Sequence, residues 1–69
     1  MNKEVRELVD EATRQGWRCE LRKSGHWRCL APDGIGQLTI AGTPSDHRWK
    51  ANSIAKMRRH GFIWPPPKA

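Results

Sequence analysis

Apolar residues recur at helical spacing near the start of the chain, where Val5, Leu8, Val9 and Ala12 are separated by Arg6, Glu7, Asp10, Glu11 and Arg14. That period puts the four on one face of a short amphipathic helix, and Gly16 closes it because glycine accepts the left-handed backbone that ends helices. The period then changes to two: Trp17, Cys19 and Leu21 alternate with Arg18, Glu20 and Arg22, predicting a half-buried strand that runs to a turn at Ser24-Gly25. In the next strand Trp27, Cys29 and Ala31 share one side, and His26, Arg28 and Leu30 the other. A core on the Trp and Cys side leaves His26 and Arg28 on an open face. Pro32-Asp33-Gly34 with Gly36 carries turn chemistry, and Gln37 to Ala41 makes a third strand with Leu38 and Ile40 inward.

A second helix is predicted to start at Gly42-Thr43-Pro44-Ser45-Asp46, with Thr43 as cap, Pro44 in the first turn and Asp46 completing a capping box. It runs to about His60, with Gly61 as terminator and with His47, Ala51, Ile54, Ala55 and Met57 as its most apolar side. Lys50, Lys56, Arg58 and Arg59 flank that side as a cationic surface. Trp49 falls roughly opposite Ala51 on the helical wheel, either exposed or folded over the helix edge. Residues 1–62 therefore form one domain, and 63–69 a Pro-rich tail from which Trp64 is placed to dock back on the core. Pro65-Pro66-Pro67-Lys68 suits a frayed terminus or a ligand for a proline-binding module. The order helix, strand, strand, strand, helix belongs to the α+β class: a three-stranded antiparallel sheet (α-β-β-β-α) with two helices packed on one face. His26, Arg28, Arg18, Arg22 and Thr39 are then displayed on the other face or at its rim, and the arrangement is that of double-stranded RNA-binding domains.

Composition adds a charge argument. The 69 residues suffice for one small domain with a modest core. Of 13 Lys and Arg and seven Asp and Glu, three basic and four acidic residues precede Trp17, so the whole surplus of the +6 net charge lies after Gly16. A basic body fits a polyanion, nucleic acid foremost, although a merely solubilising basic surface has the same composition. No apolar run approaches the length of a membrane span and no secretory leader is recognisable, so a cytoplasmic location is expected. Cys19 and Cys29 then read as reduced core residues. With His26, His47 and His60 they match no zinc spacing, so neither a metal nor another cofactor is expected.

Within Lys23-Ser24-Gly25-His26-Trp27-Arg28 a histidine stands at the mouth of a hairpin among cations. An imidazole can take a proton from a ribose hydroxyl, and nearby arginines can stabilise the charge that develops on phosphorus. His47 and His60 read as structural.

Gly16-Trp17, then Lys23-Ser24-Gly25-His26, then Pro32-Asp33-Gly34, followed by a short strand and a helix, resembles the HicA-like toxins of toxin-antitoxin modules over about residues 4–62. The Ser24-Gly25 order reverses the usual Gly then Ser or Thr of that family, and Trp27 stands where members often carry a second histidine. The resemblance implies a metal-independent endoribonuclease (an mRNA interferase) with a double-stranded RNA-binding-like fold, His26 at the catalytic position, and a HicB-like antitoxin protein as partner. It implies that His26 activates a ribose 2′-hydroxyl for attack on the adjacent phosphorus, leaving a 2′,3′-cyclic phosphate and a 5′-hydroxyl. Arg22, Lys23 and Arg28 are the nearest cations, Ser24 and the amide of Gly25 are candidates to hold a phosphate oxygen, and Lys50 and Arg58 extend the RNA-binding surface. The leaving-group acid is unassigned. Two other readings of the same residues stay open: a non-catalytic RNA-binding module of this fold, and a small adaptor whose Trp-rich surface binds protein.

Overall fold

In the computed structural model, which describes residues 2–66, the chain forms α1 (Lys3–Arg14), β1 (Arg18–Leu21), β2 (His26–Leu30), β3 (Gln37–Ala41) and α2 (Trp49–Arg58). The strands pair antiparallel in the order β1-β2-β3, giving the expected α-β-β-β-α order. Val5, Leu8, Val9 and Ala12 of α1 are buried in one cluster with Trp27, Cys29, Leu38 and Ile40 of the sheet and with Met57 of α2. Both helices therefore cover the same sheet face, and the alternate strand positions stay in water. Asn2 caps α1: its side-chain oxygen accepts from the Glu4 amide at 2.8 Å, satisfying a donor that the first helical turn leaves free.

The helices end alike. Gly16 (φ +94°) and Gly61 (φ +91°) take the left-handed conformation. At the first, the Trp17 amide donates to the Ala12 carbonyl and the Gly16 amide to Thr13; at the second, Phe62 donates to Met57 and Gly61 to Arg58. Each is a Schellman ending that throws the following aromatic inward. Trp17 and Phe62 meet edge to face with ring centres 6.0 Å apart, so the two stops join in the core.

The start of the second helix differs from the sequence expectation. Residues 42–48 are not helical, and α2 begins at Trp49. Thr43 does not cap it: the residue before the helix is Arg48, which makes no side-chain capping bond, and Asp46 closes the preceding turn, its Oδ1 accepting from the Arg48 amide at 2.9 Å and its carbonyl from the Trp49 amide at 3.2 Å. The inward face differs as well. Met57 is buried and Trp49 and Ile54 pack against the core, whereas His47, Ala51 and Ala55 are exposed. The longer side chains remove more apolar area from water than two alanine methyls, so they set the rotation of the helix.

The segment after α2 is held on the helical layer. Gln15 grips Ile63 with both ends of its amide, donating to the Ile63 carbonyl and accepting from the Ile63 amide, each at 2.9 Å. Trp64 stacks on Phe62 and packs against the core. Of the Pro-rich tail, Pro67 and Lys68 lie outside the described residues, as does the terminal Ala69.

Candidate functional site

The Arg22–His26 turn sets the site. The Gly25 amide donates to the Arg22 carbonyl at 2.9 Å, the Arg22 amide donates to the His26 carbonyl at 2.8 Å, and Gly25 has φ +86°. This is a three-residue hairpin loop whose last position requires the left-handed conformation, the reason glycine stands immediately before the histidine. The turn is also braced by the residue that follows β3: the Gly42 amide donates to the Gly25 carbonyl, and a Cβ on Gly42 would come within 2.4 Å of that oxygen. His26 thus leaves a fixed turn at the first position of β2.

Its imidazole is exposed on the open face of the sheet, and Nδ1 lies 3.1 Å from the Ser24 hydroxyl. Arg28 follows two positions on, opposite Thr39, and donates to the Gln37 side chain at 2.9 Å. Arg22, Ser24, His26 and Arg28 line one cleft of about 640 Å³, floored by Gln37 and Thr39 of β3. Lys56 of α2 reaches it past β3, the edge strand. Three cations and one imidazole therefore surround a space open to water. Glu20 stands opposite Arg28 in the β1–β2 register, and its carboxylate is 3.8 Å from the Arg22 guanidinium. Both members of that pair are exposed, so it binds Arg22 weakly.

The structure thus brings together Arg22, Ser24, His26 and Arg28 and separates them from the other four expected RNA contacts. Lys23, at the loop tip, is exposed and does not line the cleft. The Gly25 amide is taken by the Arg22 carbonyl, so it is not free for a phosphate oxygen. Lys50 pairs with Glu4 at 3.6 Å and stands 5.3 Å from the centre of the Trp64 ring, and Arg58 donates to the Trp64 carbonyl at 2.6 Å. These two cations hold the C-terminal segment. Lys56, flanking the helix in sequence, is the α2 residue that reaches the cleft; no periodicity marks it, because the position of α2 beside β3 is a tertiary outcome.

His60 lies away from the cleft. Its Nδ1 is 3.0 Å from Asp33 Oδ2, while Asp33 Oδ1 accepts from the amides of Gly36 and Ile35. Those two amide bonds, followed by His60, hold the Asp33 carboxyl down at about 2. Gly36 is required here by space, since a Cβ would come within 2.4 Å of the His60 ring. Among the described residues no group of three His, Cys, Asp or Glu side chains is placed to hold a metal ion, and no helix is long and apolar enough to cross a membrane.

Comparison with known protein families, curated proteins and solved structures finds no match to this chain.

Proposed function

We propose that the open sheet face binds RNA and that His26 acts there as the general base of a metal-independent endoribonuclease, the activity implied by the likeness to HicA-type toxins. The observation that carries this reading is one exposed imidazole in a cleft shared with Arg22, Arg28 and Lys56. In the tautomer that carries its proton on Nδ1, beside the Ser24 hydroxyl, the ring presents the Nε2 lone pair, which removes the proton of a ribose 2′-hydroxyl. The 2′-oxygen attacks phosphorus, the P–O5′ bond breaks, and the departing oxygen takes a proton from water. The products are a 2′,3′-cyclic phosphate and a 5′-hydroxyl. A general base contributes roughly 100 to 10,000-fold, and the guanidinium groups supply charge stabilisation to the phosphorane-like transition state. In a cell the reading places the chain in the cytoplasm, acting on mRNA and held in check by a HicB-like antitoxin.

The second reading is a non-catalytic RNA-binding module, favoured by one feature of the cleft: His26 is the only imidazole lining it, and its side-chain partner is the Ser24 hydroxyl. His26→Ala separates the two. The expected result is loss of RNA cleavage at least 100-fold, with RNA affinity and its salt dependence retained. Undiminished cleavage by the variant excludes His26 as base. A native chain that binds RNA in a salt-dependent way without cutting it establishes the binding module instead, and no salt-dependent RNA affinity at all rejects both readings in favour of a protein adaptor.

A further inference from the structure

Cys19 and Cys29 face each other directly in the β1–β2 register. The hydrogen bond from the Arg22 amide to the His26 carbonyl fixes which pairs in this hairpin are hydrogen-bonded, and alternation from it makes 20/28 and 18/30 bonded pairs and 19/29 a non-bonded one. In such a pair the Cα atoms stand about 4.5 Å apart and the side chains are at their closest, within the span a disulfide bridges. Both thiols lie on the core side of the sheet, Cys29 fully buried and Cys19 half-buried against the core edge. The nuclease reading uses neither.

We propose that Cys19 and Cys29 form an oxidisable dithiol that closes, on reaction with hydrogen peroxide, into a disulfide locking the β1–β2 hairpin beneath the open face. The order of attack follows from the surroundings. Each thiol is within hydrogen-bonding reach of the other, and the bond from Cys29 favours the Cys19 thiolate while pushing the Cys29 thiol upward, together with burial. The Thr13 hydroxyl beside Cys19 already donates to the Val9 carbonyl, which leaves Cys29 as the main stabiliser of that thiolate. Cys19, the more accessible sulfur, attacks one peroxide oxygen. An S–O bond forms, the O–O bond breaks, and the departing hydroxide is protonated to water. The Cys29 sulfur then attacks the sulfenic sulfur of Cys19, forming the S–S bond, breaking S–O and passing its proton to the second hydroxide. Two thiols are oxidised by two electrons in all, and one peroxide is reduced to two waters. The cross-link joins residues ten positions apart in the chain, on the two strands flanking the loop that presents His26.

The test uses the full native chain, reduced and then treated with excess hydrogen peroxide, and does not depend on any RNA activity. Expected are a monomer lighter by two hydrogens, a peptide linking Cys19 to Cys29, loss of both thiols to alkylation under denaturing conditions, and return of both on adding dithiothreitol. The oxidised chain should melt several degrees above the reduced one, because the closed loop restricts the unfolded state. In Cys29→Ser, peroxide should leave an oxygen on Cys19 or a linked dimer in place of the internal bond. The proposal is overturned if the native chain instead gains oxygen at Cys19 while Cys29 stays alkylatable, or dimerises through Cys19. A lower melting temperature after internal closure overturns the claim that the bond fits the native register.

Discussion

Asp33 shows how much one exposed side chain can organise. It accepts from the Ile35 and Gly36 amides through one oxygen and meets His60 through the other, tying the β2–β3 turn to the end of α2. Its carboxyl is lowered from 3.8 to about 2, so the folded state binds a proton there less readily than the unfolded chain. The stability linked to the carboxylate is fully present above about pH 4 and is lost as the pH falls toward 2. In Asp33→Asn the amide oxygen still accepts from the turn but carries no charge. Thermal melts at pH 4 and pH 2 should therefore show a larger drop for the native chain than for the variant; equal drops would mean that other carboxylates carry the acid sensitivity. Gly36→Ala tests the same contact by crowding, since its Cβ enters the space of the His60 ring. Its destabilisation should shrink when combined with His60→Ala, a non-additivity expected of residues sharing one space.

At the level of elements, α2 is defined by its ends. Asp46→Ala removes the carboxylate that accepts from the Arg48 amide in the turn leading into α2, and one such hydrogen bond contributes about 0.5–1.5 kcal/mol. Gly61→Ala forces an L-residue to φ +91° with no neighbour within 4 Å, so its cost is purely backbone, about 1–2 kcal/mol. The two sites lie at opposite ends of the helix, so the double variant should show the sum in denaturant unfolding. No loss in Asp46→Ala would mean that the bond from the Trp49 amide to the Asp46 carbonyl is enough to hold the turn into α2. Both flanks of the His26 loop are held by backbone bonds, one within the Arg22–Gly25 turn and one from Gly42, so the imidazole is presented by hairpin geometry more than by packing of its own ring.

Across the whole molecule, charge is divided between two tasks. Arg22, Arg28 and Lys56 surround the cleft, while Lys50 and Arg58, on the same helix as Lys56, fasten Trp64 to the helical layer. That segment extends a core too small to be generous: Trp64 stacks on Phe62, which meets Trp17, so the chain end completes the apolar cluster begun by α1. Gln15 is its clasp, with its other amide hydrogen bonded to Glu11. Gln15→Ala should cost about 1–3 kcal/mol and speed hydrogen exchange at the Ile63 amide, which then has lost its acceptor. Unchanged exchange would mean that stacking of Trp64 alone holds the segment.

The alternation of apolar and polar residues was enough to determine the element order, the buried sets of α1, β2 and β3, the glycine stops at Gly16 and Gly61, and the exposure of His26 and Arg28, because each depends on periods of two or 3.6 and on the conformations glycine accepts; in β1 it failed, since Leu21, expected inward, is exposed at the strand end beyond the cover of the helices and Cys19 is only half-buried. What the periods do not encode is where one element lies against another. The rotation of α2 follows from the area that Trp49, Ile54 and Met57 can bury together, and that rotation sends Lys56 to the cleft and gives Lys50 and Arg58 to Trp64. Gly42 braces the His26 loop for the same reason: hydrogen bonds between distant segments form only after the helices and sheet have packed, and their partners are chosen by that packing.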